Sequence, residues 1–130
     1  MSRIAADPPR GLRVLVAEDN LLIGEFIRQI LIDLECTVIG PLDDVEEVLR
    51  TIQASDLDGA LLDVQLGEAS IYPAASELAL RGIPFILATG RGSLADLPAL
   101  LASAPILTKP FGVPQLEAIM GSTFRPHVGS

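Results

Sequence analysis

The sequence of 130 residues contains no tryptophan, one cysteine and one histidine, and aromatic residues make up only 4% of it. A single cysteine excludes an internal disulfide and is typical of a chain kept in a reducing compartment. We interpret Cys36 as a packing residue rather than a reactive thiol. His127 lies in a polar C-terminal stretch without a second histidine, which disfavours a ligand or catalytic role.

Basic residues and long apolar runs are also scarce. Nine Lys and Arg residues face 17 Asp and Glu residues, giving a formal net charge of −8. Such a surface repels phosphate backbones and anionic lipid, so we expect neither a nucleic-acid nor a membrane partner. No apolar run approaches the roughly 18 residues of a membrane span. Residues 1–11 lack the apolar segment of a signal peptide, so a cytoplasmic protein is expected.

The sequence is rich in hydrophobic residues, which make up 49% of the chain and are mostly aliphatic. They form two kinds of segment that alternate along the chain. Short apolar runs predict five strands, over residues 12–17, 37–40, 59–63, 84–89 and 106–109. Segments with helical spacing separate them, over residues 21–34, 45–52, 71–81, 97–102 and 113–120. The alternation predicts one α/β domain over residues 12–121, with an N-terminal lead (1–11) and a C-terminal tail (122–130). Its parallel sheet is doubly wound, with helices on both faces.

The fourth of these helices is the least regular. Pro98 cannot lie deep inside a helix, because it lacks an N–H and clashes with the preceding turn. With Asp96 as the N-cap, Pro98 falls in the first turn, where it is tolerated. The sequence therefore predicts a fourth helix that is short or mobile.

Polar side chains follow four of the five predicted strands. Glu18 and Asp19 follow the first strand, Asp63 ends the third, Thr89 ends the fourth and Lys109 ends the fifth. Ligands of open parallel sheets bind at the carboxyl ends of the strands, so these side chains are expected to converge. Three carboxylates together repel one another, and a hard divalent cation such as Mg²⁺ removes that repulsion.

A site with Mg²⁺, a lysine and a hydroxyl suits a phosphoryl group, with Asp63 as the nucleophile that forms an aspartyl-phosphate. Each residue alone has a simpler interpretation. A strand-end Asp usually caps a turn or helix, Glu18, Asp19 or Asn20 could cap the first helix, and Lys109 could be a solvated charge. Their joint occurrence at four strand ends favours the functional interpretation.

Together these residues resemble the receiver domain of two-component response regulators. The resemblance rests on Val16-Ala17-Glu18-Asp19, Leu61-Leu62-Asp63, Ala88-Thr89-Gly90 and Lys109-Pro110-Phe111, and it extends over residues 12–120. It implies a flavodoxin-like strand order of 2-1-3-4-5.

The resemblance also implies a role for each site residue. Asp63 would accept a phosphoryl group from a phospho-histidine on a sensor histidine kinase or a histidine phosphotransfer protein. Mg²⁺ would be held by Asp19, Asp63 and the carbonyl of Gln65, with Glu18 acting through water. Thr89 and Lys109 would bind phosphoryl oxygens, and the Lys109–Pro110 peptide would be cis. Such a receiver is a phosphoacceptor that assists its own phosphorylation and dephosphorylation, not an enzyme.

The sequence departs from the family pattern at the switch. The aromatic expected three positions before the lysine is replaced by Ile106, so the usual coupling of Thr89 to an inward-turning aromatic cannot operate. Residues 84–91 are similar to an alphaproteobacterial subgroup with the motif Pro-Phe-x-Phe-Ala-Thr-Gly-Tyr, with Leu87 and Arg91 as the deviating positions. That similarity implies a switch in which residues 90–105 become ordered. Arg91 and Gln65 flank the acceptor and would affect how fast the phosphoryl group is lost.

Other functions remain open at this point. A haloacid-dehalogenase-type phosphatase needs a second acid two residues after the nucleophile, where this chain has Gln65. A flavodoxin-like electron carrier needs a neutral phosphate loop after the first strand, where Glu18 and Asp19 would repel the phosphate. A pseudo-receiver that only binds partners is disfavoured, because every site residue is present.

The organisation of the protein has alternatives as well. A stand-alone receiver, monomeric or weakly dimeric, is expected, because no output domain follows residue 121. It would signal through a partner or act as a phosphate sink. The alternative is a receiver excised from a hybrid kinase or a larger regulator.

Overall fold

The computed structural model describes residues 11–90 and 97–124 of the chain. Within these residues the strands are β1 (Arg13–Ala17), β2 (Thr37–Leu42), β3 (Gly59–Asp63), β4 (Gln65–Leu66), β5 (Ala69–Ser70), β6 (Phe85–Thr89) and β7 (Ile106–Thr108). The α-helices are α1 (Leu21–Asp33), α2 (Val45–Ala54), α3 (Tyr72–Leu80) and α4 (Val113–Thr123).

Five of the strands form one parallel sheet in the order β2-β1-β3-β6-β7. With the two short strands β4 and β5 set aside, this is the order 2-1-3-4-5, so the predicted fold is confirmed. The strands end at the same edge of the sheet: Ala17 is in register with Leu62, and Asp63 with Ala88. The residues that follow β1, β3, β6 and β7 therefore meet at that edge.

The sheet is covered on both faces, which explains why its inner strands are continuous apolar runs. Leu15 and Leu62 pack with α2 and α3 on one face. Val14, Val16 and Leu61 pack with α1 and α4 on the other. All five residues of β3, including Asp63, are buried, so the sheet holds Asp63 rigidly.

Strand β2 differs from the prediction that it ends at Gly40. It continues through Pro41 to Leu42, with an irregular register opposite β1. A proline is tolerated here because β2 is an edge strand, where a missing N–H costs no ladder bond. Gly40 has a φ of +115°, and a Cβ on it would lie 2.5 Å from the carbonyl oxygen of Val16, so glycine is required.

Two elements near the C-terminus also differ from the prediction. In place of a fourth helix over residues 97–102, the described chain has one 3₁₀ turn, Ala99–Leu101. Pro98, which precedes this turn, has an extended backbone, and no side chain caps the turn. The predicted cap, Asp96, lies outside the described residues. Helix α4 extends to Thr123, and Phe124 is buried, so residues 122–124 belong to the domain rather than to the predicted tail.

The hairpin of β4 and β5 was not predicted. Gln65 pairs with Ser70 and Leu66 with Ala69, and Gly67 and Glu68 form the tip between them. Two-residue strands with a single buried side chain give no periodicity to recognise. Across residues 11–90 and 97–124, no helix is long and apolar enough to cross a membrane.

Candidate functional site

The two carboxylates of the turn after β1 do not cap the helix, because a neighbour does. Asn20 is the N-cap of α1, and its side-chain oxygen accepts hydrogen bonds from the backbone N–H groups of Leu22 and Ile23, both at 3.0 Å. The capping role that Glu18 or Asp19 could have filled is thus taken by Asn20. Both acids remain available at the edge of the sheet.

Glu18 and Asp19 differ in exposure and in the elements that hold them. Glu18 is 4% exposed, and its backbone N–H donates to the carbonyl of Leu42 at the end of β2. Asp19 is exposed, and its Oδ2 accepts a hydrogen bond of 2.6 Å from the backbone N–H of Gly67 in the β4–β5 hairpin. Two different parts of the chain therefore support the two acids.

Asp63 makes both a local hydrogen bond, typical of an acid in a turn, and a contact with a residue far away in the chain. Its Oδ1 accepts a hydrogen bond of 3.2 Å from the backbone N–H of Gln65, as a turn-forming Asp does. Its Oδ2 accepts one of 2.8 Å from the Nζ of Lys109, 46 residues away. The side chain of Asp63 is 11% exposed, so it is fixed by the sheet yet open at the edge.

Lys109 is partly buried and paired, so it is not a solvated surface charge. Its side chain is 16% exposed, and its Nζ lies 2.8 Å from Asp63 Oδ2 and 3.1 Å from Glu18 Oε1. Its backbone N–H donates to the carbonyl of Thr89, which fixes the start of the side chain. The Lys109–Pro110 peptide is cis, the conformation that the resemblance implied.

The remaining predicted residues lie on or next to β4, β6 and β7. Thr89, half-buried at the end of β6, is in register with Thr108, and Gly90 follows it and lines a cavity beside Lys109. The side chain of Gln65 is exposed at the start of β4. Ile106 begins the edge strand β7 with 37% exposure. Arg91 lies outside the described residues.

Within residues 11–90 and 97–124, negatively charged groups outnumber positively charged groups at the site. Glu18, Asp19 and Asp63 each offer a carboxylate oxygen, and these oxygens lie within 4.8 Å of one another. One ammonium group, that of Lys109, pairs with two of the three. Among the described residues, three carboxylates against one ammonium leave two negative charges, which the two positive charges of a divalent cation would balance. Hard oxygen donors with this charge fit Mg²⁺.

Two charged groups of the site, Glu18 and Lys109, have pKa values that are both raised. Burial raises the pKa of Glu18, with Asp63 adding to it, against the lowering effects of the Asn20 hydrogen bond and of Lys109. Burial alone would lower the pKa of Lys109. The hydrogen bonds to Asp63 and Glu18, together with the negative charges of these two residues, have the larger effect and raise the pKa. Lys109 is therefore charged throughout the neutral range.

The raised pKa of Glu18 predicts how stability depends on pH. A pKa raised above the ordinary 4.5 means that the folded protein binds the proton more tightly than the unfolded chain. The contribution of Glu18 to stability therefore falls as the pH rises above about 4.5. Relative to Glu18→Gln, which cannot ionise, the free energy of unfolding of the wild type should decrease over this range. Urea unfolding without divalent cations at a series of pH values measures it, and a pH-independent difference would contradict the prediction.

One participant was missed by sequence reasoning. Gly67, whose N–H binds Asp19, carries no functional side chain and so did not stand out. The available signal was the pair Gly67-Glu68 between two short segments, which is typical of a hairpin tip.

Comparison with known proteins identifies the family. The response regulator receiver domain family matches residues 14–120. The chain is 32% identical over 122 residues to the response regulator protein PmrA of Pseudomonas aeruginosa, which covers 91% of this chain and 55% of PmrA. The chain thus spans about half the length of that regulator.

Solved structures agree with this in fold. The BeF3-activated conformation of SdrG from Pseudomonas melonis Fr1 is 31% identical with a TM-score of 0.68, over 94% of this chain and 98% of SdrG. The receiver domain of a modulated diguanylate cyclase from Desulfovibrio desulfuricans G20 is 26% identical with a TM-score of 0.76, over 88% and 94%. Since the family match spans most of the sheet and every strand-end residue of the site, the chain belongs to the response regulator receiver domain family of two-component systems.

Proposed function

We propose that this protein is a phosphoacceptor in which Asp63 receives a phosphoryl group from a phospho-histidine. The observation that carries the proposal is the position of Lys109 Nζ, 2.8 Å from Asp63 Oδ2 and 3.1 Å from Glu18 Oε1, at the open edge of the sheet. A fixed carboxylate beside a fixed ammonium provides the nucleophile and one of the charges that a transferring phosphoryl group requires.

The transfer itself requires little covalent chemistry from the protein. An oxygen of Asp63 forms a bond to phosphorus, the N–P bond of the phospho-imidazole breaks, and its electron pair stays on the imidazole nitrogen. Lys109 and the hydroxyl of Thr89 bind the phosphoryl oxygens. Because the sheet holds all three side chains, little entropy is lost on reaching the reactive geometry. The protein is itself the reactant: it assists its own phosphorylation and the later hydrolysis of the phosphoryl group on Asp63. It does not turn over a separate substrate.

Mg²⁺ is the cofactor that the site fits. We infer that Asp19, Asp63 and the backbone carbonyl of Gln65 hold the ion directly and that Glu18 acts through water. The support is the set of oxygen donors within 4.8 Å of one another and its two uncompensated charges. When bound, Mg²⁺ neutralises charge on the phosphoryl oxygens.

The phosphodonor is a sensor histidine kinase or a histidine phosphotransfer protein. Large apolar side chains are exposed at the start of α1, next to the acids: Leu21 is 87% and Leu22 82% exposed. Exposed apolar groups of this kind mark contact surfaces. The net charge of −8 argues against nucleic-acid and membrane partners. We expect a cytoplasmic protein that is monomeric or weakly dimeric.

The output of phosphorylation is proposed to run through the chain after β6. Ile106 cannot act as a switch aromatic, and Thr89 and Gly90 lead into residues 91–96, which lie outside the described residues. Similarity of residues 84–91 to the alphaproteobacterial motif supports a switch in which residues 90–105 become ordered. Amide exchange in this segment should slow when beryllofluoride is bound, and an unchanged exchange rate there would exclude this route.

A second candidate is a receiver that works as one domain of a longer regulator. The observation that favours it is the coverage of 55% of PmrA. Phosphorylation of Asp63 is the same in both cases, and only the element that reads it differs. A pseudo-receiver that binds partners without phosphorylation is the remaining alternative.

Beryllofluoride, which mimics a bound phosphoryl group, tests the proposal without a kinase. With Mg²⁺, ¹⁹F NMR of the wild type should contain a signal of protein-bound beryllofluoride, and this signal should disappear with EDTA. Asp63→Asn should lack the signal, while Asp33→Asn, an exposed acid near the end of α1, should retain it. A wild-type spectrum identical to that of Asp63→Asn would favour the pseudo-receiver.

A further inference from the structure

We propose that the β4–β5 hairpin is a positioning element for the metal site. The backbone N–H of Gly67 at its tip holds Asp19 in place, and the order of the hairpin is linked to Mg²⁺ occupancy. The inference rests on the proposed Mg²⁺ site. It adds the backbone N–H of Gly67, a residue that was not among the predicted site residues.

The contact between Asp19 and Gly67 joins two distant parts of the chain. Asp19 is exposed on the turn after β1, where an unrestrained carboxylate would sample several rotamers. Instead its Oδ2 accepts a hydrogen bond of 2.6 Å from Gly67, 48 residues away. Hydrogen bonds to an ionised acceptor are among the strong ones. The tip of the hairpin thus supplies the orientation that the turn after β1 does not.

The hairpin is itself anchored, so it can transmit position. Leu66 is 3% exposed and Ile71, directly after β5, is fully buried. The N–H of Ile71 donates to the carbonyl of Val64 at 2.9 Å, which closes the base of the hairpin. At that base the N–H of Gln65 donates to Asp63 Oδ1. The same six-residue element therefore contacts two of the three acids.

The arrangement leaves a donor atom for the ion. A carboxylate can accept several contacts, so the hydrogen bond from Gly67 to Oδ2 does not use up the ligating capacity of Asp19, and metal-binding carboxylates are commonly oriented by such outer hydrogen bonds. Linkage makes the effect reciprocal: if the hairpin favours Mg²⁺ binding, Mg²⁺ stabilises the hairpin by the same free energy.

Two substitutions at Gly67 test the tip of the hairpin: one removes both its N–H and its backbone conformation, and the other retains both. Gly67→Pro removes the N–H and cannot adopt the φ of +60° found there. Gly67→Asn retains the N–H, tolerates this conformation, and its Cβ meets nothing within 4 Å. Calorimetric titration with Mg²⁺ alone should give an affinity about 10-fold lower for Gly67→Pro and close to wild type for Gly67→Asn. Equal affinities in all three proteins would overturn the proposal.

A second measurement needs no change in the hairpin and decides the matter if Gly67→Pro does not fold. Without metal, the amide of Gly67 should exchange faster in Asp19→Ala than in wild type. Adding Mg²⁺ should slow this exchange in wild type and leave it unchanged in Asp19→Ala. Equal exchange at Gly67 in both proteins would overturn the proposal. A wild type that does not bind Mg²⁺ would overturn the metal site and this inference together. Normal wild-type binding with an unaffected Gly67→Pro variant would overturn the inference alone.

Discussion

Replacing Lys109 with methionine is expected to destabilise the metal-free protein by about 3 kcal/mol. The substitution retains an apolar chain of similar length but leaves Asp63 and Glu18, which are 9% and 4% exposed, without their cation. Removing one partner of a buried pair is costly because the other charge stays buried. Urea unfolding in EDTA at neutral pH measures the loss.

The origin of that loss can be checked in two ways. Saturating Mg²⁺ should restore much of the stability of Lys109→Met, since it replaces the missing positive charge and binds the folded state. As a control, Arg28→Met removes an exposed ion pair with Glu25, which should cost no more than about 1 kcal/mol. A Lys109→Met variant as stable as Arg28→Met in EDTA would show that the site does not need its lysine.

Replacing Phe124 with alanine is expected to cost about 3–5 kcal/mol, although it lies close to the C-terminus. Phe124 is 1% exposed and packs with Val14, Leu61 and Ile86. Its ring packs on Gly59, so closely that an added Cβ on Gly59 would lie 2.7 Å from the ring carbons. The cavity left by the missing ring is closed on all sides, so the surroundings can collapse only partly. Chemical denaturation of the purified variant measures the cost.

The matched control for this substitution is Phe26→Ala. Phe26 is 38% exposed and its ring contacts Phe111 at a centroid distance of 6.1 Å, so its removal leaves an open groove rather than a cavity. The cost should be clearly smaller than for Phe124→Ala. Equal costs would contradict the assignment of Phe124 to the core.

The parts of the fold that sequence predicted are those in which burial dictates the residue type. Strands β1, β3 and β6 lie inside the sheet with both faces covered, and their apolar runs identified them directly. Helices α1 and α2 have an apolar face, which predicted both, and each begins after a polar N-cap, Asn20 or Asp44.

The parts that sequence could not give depend on long-range packing. The extension of β2 through Pro41 requires that β2 be an edge strand, which no local pattern reveals. Phe124 follows a polar stretch, and only the space above Gly59 makes it a core residue. Pro98 was placed in a helix by its position after a possible cap, whereas its backbone is extended and a 3₁₀ turn follows.

The site was more predictable than the fold around it because its chemistry constrains residue types. Glu18, Asp19, Asp63 and Lys109 were singled out from strand ends, and the structure brings them together. The hydrogen bonds that orient the three carboxylates come from the backbone N–H groups of Asn20, Gln65 and Gly67. Backbone donors and acceptors are present at every residue, so the sequence does not distinguish those that contact the site.

The measurement that tests the central claim most directly is the intact mass of the protein after incubation with Mg²⁺ and acetyl phosphate. In this reaction an oxygen of Asp63 attacks phosphorus and acetate leaves. The wild type and Asp33→Asn should each gain one phosphoryl group, whereas Asp63→Asn and wild type in EDTA should gain none. A wild type that gains no phosphoryl group while Mg²⁺ and beryllofluoride also fail to bind, or an Asp63→Asn variant that gains one, would contradict the assignment of Asp63 as the phosphoacceptor.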